Sequence, residues 1–332
     1  MALPEWIVWI LTGRCNLSCG HCYASRFRGE LEKGEVVRLV GEAAELGVEY
    51  INFTGGEPLL YPGFEEVLKE TRDRGIEVGV FTNLTLLTPS WVKLFSRLEV
   101  SVLSSLDGSR ETHEANRGPG SWSKLMKSLS LLKAEGVDCL LTMAISNHNY
   151  REAGSFVRLA CSLGASAAVI PTMPSGRALE NRSYVDSPSF LKALHLVDEA
   201  SKELGYPVSI WCAPFAGLVV SSPWVDWVSC RLSPSMDLAP NGDILLCDVL
   251  DLVLSNVRVK GMRDAWLEAA SHPLSREISE PKLGEPCLSC RLKPTCMGGC
   301  YARAYLAEGS LSRPDPLCPM VSRVKNVGGF EA

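Results

Sequence analysis

From Trp6 to about residue 205 the chain alternates short apolar runs with segments whose apolar residues recur at helix spacing, and this rhythm restricts the fold more than any other feature. Strand-length runs separated by helical crossovers make repeated βα units. Such units build a parallel sheet, because a parallel neighbour cannot be reached through a two-residue turn. Strands are predicted over residues 6–12, 50–54, 76–82, 99–105, 138–145 and 167–171. Helices are predicted over 34–46, 63–74, 89–98, 121–135, 150–163 and 188–204, several of them ending near a glycine as helices tend to. Six units fall short of the eight that close a (β/α)8 barrel. After residue 205 the rhythm stops and prolines, tryptophans and cysteines crowd together. The expected organisation is therefore an α/β domain over 1–205 and a cysteine-rich domain over 206–332.

The first strand runs straight into Cys15-Asn-Leu-Ser-Cys19-Gly-His-Cys22-Tyr23. Three thiolates can hold three irons of a [4Fe–4S] cube and leave the fourth iron open to bind and reduce something. Structural zinc usually wants paired cysteine or histidine elements and a nearby fourth ligand, and only His21 is close by. Zinc and buried thiols remain the alternatives on this segment alone.

The spacing C-x3-C-x2-C followed by Tyr23, with Gly55-Gly56-Glu57-Pro58 closing the second strand, resembles the radical S-adenosylmethionine (AdoMet) superfamily. The resemblance implies an open (β/α)6 partial barrel. It also implies reductive cleavage of AdoMet at the Cys15, Cys19, Cys22 cluster to a 5′-deoxyadenosyl radical that abstracts a substrate hydrogen. Gly55, Gly56, Glu57 and Pro58 would then line the AdoMet site, the glycines giving a ligand access to backbone at the carboxyl end of a parallel strand. Asn83, Ser105 and Asp107, at the ends of the third and fourth strands, and Arg117 would help hold the ribose and carboxylate. Turn chemistry for the first three, and a solvated loop position for Arg117, are the competing readings.

Beyond residue 205, Cys230 is followed by Gly242, Cys247, the run Cys287-x2-Cys290-x5-Cys296-x3-Cys300, and Cys318. These cysteines resemble the SPASM extension of radical AdoMet enzymes, which binds two auxiliary [4Fe–4S] clusters, making three with the first. The resemblance assigns Cys287, Cys290, Cys296 and Cys318 to the outer cluster and Cys230, Cys247 and Cys300 to the inner one. Cys212 is the candidate fourth inner ligand. Asn241-Gly242 is a strong hairpin signal between residues 236–239 and 244–247. The cysteine knuckle is too small to bury a core of its own and needs metal to hold it. Asp248 stands where sulfatase-maturing relatives carry a carboxylate proposed to take a substrate proton. Cys139 and Cys161 fall within a predicted strand and helix and read as core.

Among 332 residues the formal net charge is −5 and no basic stripe is visible, so nucleic acid is not an expected partner. The opening apolar run is too short to span a bilayer and lacks a basic leader, and no membrane association is expected. Thirteen cysteines without a secretory signal favour a reducing, cytoplasmic setting. The resemblance implies oxidative modification of a peptide or protein side chain, as by a maturase, with a ferredoxin- or flavodoxin-like electron donor. Segments 169–177, 147–150, 302–305 and 314–318 also resemble the haem-biosynthesis branch, which includes enzymes decarboxylating iron-coproporphyrin and makers of haem d1. A tetrapyrrole substrate is thus the alternative. A non-enzymatic zinc or electron-transfer scaffold is the reading of another class.

Overall fold

The computed structural model describes residues 3–232 and 234–321. Eleven strands lie among them: β1 (Trp6–Thr12), β2 (Tyr50–Gly55), β3 (Glu77–Phe81), β4 (Ser101–Ser105), β5 (Cys139–Ile145), β6 (Ser166–Pro171), β7 (Val208–Ile210), β8 (Val225–Trp227), β9 (Ser235–Leu238), β10 (Asp243–Leu245) and β11 (Val253–Asn256). The fold is of the α/β class, with the expected βα rhythm from β1 to β6. Each predicted strand and helix of that region is present, with ends displaced by at most three residues. The helix Arg110–Arg117 was not expected. It is polar almost throughout, with only His113 buried, so it carries no apolar period to read.

The described chain gathers into two compact units that interleave along the sequence. The first comprises residues up to 105, then 114–140 and 234–275. Its strand order is β11-β10-β9-β1-β2-β3-β4. β1 pairs in parallel with β2 on one side and with β9 on the other, Trp6 standing opposite both Tyr50 and Ser235. β9 and β10 form the hairpin signalled by Asn241-Gly242, with Leu238 opposite Ile244. The core packs side chains of alternate strand positions against the helices. Trp9 meets Phe53 with ring centroids 5.7 Å apart, Phe53 meets Phe64 edge-on at 5.6 Å, and Trp91 continues the line to Phe95. The helix Lys33–Leu46 starts with a reciprocal capping box between Glu32 and Glu35, buries Val36, Leu39, Val40 and Ala43, and stops at Gly47 in the left-handed region.

The second unit comprises residues 106–113, 141–232 and 276–321. Its strands run in the order β5-β6-β7-β8. The helices Ala153–Leu163 and Ser187–Leu204 pack together, and Phe190 meets Phe215 at 6.2 Å. The cysteine-rich segment carries two short helices, Lys293–Cys296 and Tyr301–Glu308. No helix among the described residues is long and apolar enough to cross a membrane.

Candidate functional site

The loop after β1 carries Cys15, Cys19 and Cys22, and its entry is fixed by polar contacts. Thr12 accepts the Arg14 amide at 3.0 Å and donates to Glu30 at 2.7 Å. Arg14 grips both carboxylate oxygens of Glu30, at 3.1 and 2.9 Å, and donates to the Leu60 carbonyl. Donors point at sulfur throughout the loop. The Leu17 amide lies 3.4 Å from Cys15 Sγ, Asn83 Nδ2 lies 3.9 Å from the same sulfur, and Arg117 lies 3.9 Å from Cys19 Sγ. Burial, with help from Glu57 and the two neighbouring thiols, pushes the Cys15 thiol up to about 11. Thiols surrounded by donors fit metal ligation, because a cation supplies the charge that makes them thiolates.

The tetrapeptide 55–58 abuts this loop more tightly than its sequence suggests. A Cβ on Gly56 would sit 2.0 Å from the Arg14 carbonyl oxygen, and one on Gly55 would sit 2.6 Å from that of Thr12. The Gly56 and Glu57 amides donate to those same two carbonyls, each at 2.8 Å. Ligand access was the expected reason for these glycines. The structure gives another, which is that the end of β2 presses backbone to backbone on the cysteine loop. Glu57 is fully buried, accepting from Thr82 at 2.7 Å, the Asn83 amide at 2.9 Å and the Leu59 amide at 3.2 Å. Burial raises its carboxyl to about 6 against the pull of those donors. Pro58 opens the short turn Pro58–Leu60 that follows.

Asn83 bridges back to the loop, donating to Asn16 at 3.0 Å. Arg117 faces Cys19 and His21. Ser105 is half-buried at the end of β4 in the first unit. Asp107 belongs to the second unit and is fully buried, its carbonyl accepting from Asn149 at 3.2 Å.

Asp248 is held beside the cysteine loop inside the first unit. Tyr23, the residue after Cys22, donates to its carboxylate at 2.6 Å, and the Asp248 amide donates to Asp237 at 2.8 Å. Arg26 donates to the carbonyls of Asp248 and Leu250, at 2.7 and 2.9 Å, and so pins the whole turn. Ligand atoms of Asp237, Cys247 and Asp248 lie within 4.8 Å of one another. Burial drives the Asp248 carboxyl up, opposed by Tyr23 and Arg26, while burial and the Asp248 charge hold Asp237 well above the carboxylate range. Motif spacing singles out Tyr23 but neither Asp237 nor Arg26. The Tyr23–Asp248 contact joins positions 225 apart, which no local pattern encodes.

In the second unit Cys287, Cys290, Cys296 and Cys318 line one small cavity, walled by Phe215, Leu218 and Met320. Burial first, then the charge of neighbouring thiols and Asp315, pushes Cys296 up to about 12, and burial pushes Cys318 to about 11. Four thiols converging in one apolar cavity fit a metal cluster. Cys300 caps the helix Tyr301–Glu308 and is buried, while Cys212 and Cys230 are half-buried and exposed members of the same unit. Cys247 belongs to the first unit. Cys139 is buried in β5, and Cys161 lies in the helix Ala153–Leu163.

The profile of the radical SAM superfamily matches residues 9–160. The AdoMet-dependent heme synthase of Methanosarcina barkeri is 30% identical, over 95% of this chain and 96% of its own length. The mycofactocin maturase MftC of Mycobacterium ulcerans is also 30% identical, over 95% of this chain and 88% of its own. Among solved structures, anSMEcpe with bound AdoMet superposes with a TM-score of 0.76 at 21% identity, covering 97% of this chain and 98% of that one. Streptococcus suis SuiB bound to its precursor peptide SuiA gives 0.78 at 19% identity, covering 96% and 76%.

Proposed function

The chain belongs to the radical SAM superfamily, and from that premise we propose that it is a maturase-type enzyme oxidising a side chain of a peptide or protein. Membership brings with it AdoMet and the [4Fe–4S] cluster, for which Cys15, Cys19 and Cys22 are the proposed ligands. When bound, these supply the one-electron chemistry that removes a hydrogen atom from the substrate, and two auxiliary clusters would take up the electron left behind. Cys287, Cys290, Cys296 and Cys318 are the proposed ligands of the outer auxiliary cluster, and Cys212, Cys230, Cys247 and Cys300 those of the inner. Residues 1–205 and 206–332 would then carry the radical and the auxiliary chemistry respectively, with a ferredoxin- or flavodoxin-like donor feeding the first.

The observation that carries this reading is the half-buried Asp248, fixed by Tyr23 one residue beyond a proposed cluster ligand. Oxidising an alcohol or thiol side chain after hydrogen-atom loss releases a proton from the heteroatom as well as an electron, so it needs a base. Asp248 is that base, strengthened by burial and aimed by Tyr23 and by the backbone contact to Asp237. Oxidative decarboxylation of a propionate releases carbon dioxide and an electron after hydrogen-atom loss, and needs no proton acceptor at that step. The relative named as a heme synthase supports this second reading through its coverage of nearly the whole chain.

One experiment separates the two. Anaerobically reconstituted enzyme is given dithionite, AdoMet and either Ser- and Cys-containing peptides or iron-coproporphyrin. Oxidised peptide that falls at least about 100-fold in Asp248→Asn, while 5′-deoxyadenosine is still released, supports the maturase reading. Decarboxylated porphyrin formed equally well by Asp248→Asn would replace it with the tetrapyrrole reading.

A further inference from the structure

We propose that Arg303 and Asp315 form a positioning pair that sets a ligand of each auxiliary cluster, Cys300 for the inner and Cys318 for the outer. The inference rests on the ligand assignment made above. Both side chains are almost completely buried, at 4% and 0% exposure. Their contact is a fork, with Arg303 Nε donating to Asp315 Oδ1 at 2.9 Å and a terminal nitrogen donating to Oδ2 at 2.6 Å. Each carboxylate oxygen also takes a backbone amide: Oδ2 accepts from Cys300 at 2.9 Å and Oδ1 from Leu317 at 3.0 Å. The backbone of Asp315 completes the junction, receiving the Cys318 amide at 3.0 Å and donating to Gly298 at 2.9 Å. Arg303 reaches on to the Cys212 carbonyl at 2.7 Å and to Met173 sulfur at 3.2 Å. Its own amide points at Cys300 Sγ, 3.5 Å away.

One ion pair therefore touches every chain segment that brings Cys212, Cys300 and Cys318 into the unit. The turn between Cys296 and Cys300 is shaped to admit it. A Cβ on Gly299 would lie 2.3 Å from that of Asp315, and Gly299 has φ of +85°. A buried ion pair gives little or no net stability over well-packed apolar residues, since desolvation offsets the attraction. What it gives is direction, because a planar guanidinium facing a carboxylate fixes both groups in plane and leaves the remaining lone pairs aimed at chosen amides. Two ligands that serve different clusters are in this way referred to the same pair.

The test compares wild type with Asp315→Asn and Arg303→Lys after anaerobic reconstitution, reading iron per chain, low-temperature EPR of the reduced protein and circular dichroism. Arg303→Lys keeps the buried positive charge but cannot make the fork while reaching Cys212. Wild type is expected to hold about twelve irons, four per cube. Both variants should fall towards about four, with the auxiliary EPR signals lost or shifted and helical dichroism retained. If Asp315→Asn fails to fold, Arg303→Lys decides alone. Arg303→Lys with about twelve irons and unchanged EPR would overturn the proposal while leaving the three-cluster reading intact. Wild type that never exceeds about four irons would overturn that reading first, and this proposal with it.

Discussion

Gly56 has no space for a methyl group, and the atom in its way is backbone rather than a flexible side-chain tip. Gly56→Ala must therefore displace the cysteine loop. Overpacking of this kind costs about 1–3 kcal/mol or more, enough to lower 5′-deoxyadenosine release at least about tenfold in a chromatographic assay. Glu57 makes a separate prediction. Its folded carboxyl sits at about 6, above the ordinary value of 4.5, so protonation stabilises the fold. That contribution is fully present below pH 4.5 and is lost as the pH rises through about 6. Relative to Glu57→Gln, wild type should lose about 2 kcal/mol across this window, measured by urea unfolding at each pH. A constant difference between the two proteins would refute the assignment. At this scale the sequence marks the glycines and the cysteines as candidates, because motif spacing is local. It could not give the reason for Gly56, whose obstacle lies 42 positions upstream at Arg14.

The elements of the βα region were legible because each carries its own period. Trp9, Phe53 and Phe64 show what that period does not contain. They come from β1, β2 and the helix Phe64–Asp73, Trp9 tilted against Phe53 and Phe53 edge-on to Phe64, so the contact depends on how the elements stack. Phe53→Ala is expected to destabilise the protein by about 3–5 kcal/mol, seen as a lower denaturation midpoint. The helix Val257–Ser271 was not foreseen. It buries Met262, Ala265, Trp266 and Ala269 at helix spacing, but Gly261 breaks it, with φ of +74°. It is held on the helix Lys33–Leu46 by polar contacts, Arg258 to Glu35 at 2.8 Å and the Met262 amide to Glu42 at 2.7 Å. Polar contacts of that kind between distant helices have no local sequence signature.

For the whole molecule, cysteine-rich residues 276–321 lie in the second unit with four thiols around a cavity in place of an apolar core of their own. Removing iron with a chelator under oxidising conditions should therefore open this segment first. Trypsin is expected to cut at Lys282 and Arg291, both exposed, well before it cuts in the helix Lys33–Leu46. Uniform digestion along the chain would contradict this, and mass spectrometry of the early fragments distinguishes the outcomes.

β1 is flanked by β2 on one side and β9 on the other, and this pairing sets a timetable for synthesis. When residues 6–55 have left the ribosome, β1 and β2 can pair, but the second edge of β1 stays open until residues 235–238 emerge. At about 5–20 residues per second the wait is roughly 9–37 s. During it a strand that includes Ile7, Trp9 and Ile10, all fully buried in the finished fold, offers free amides and carbonyls to any passing chain. Production of this protein should accordingly respond to chaperone supply and to translation speed over codons 56–234, upstream of any question of iron or AdoMet.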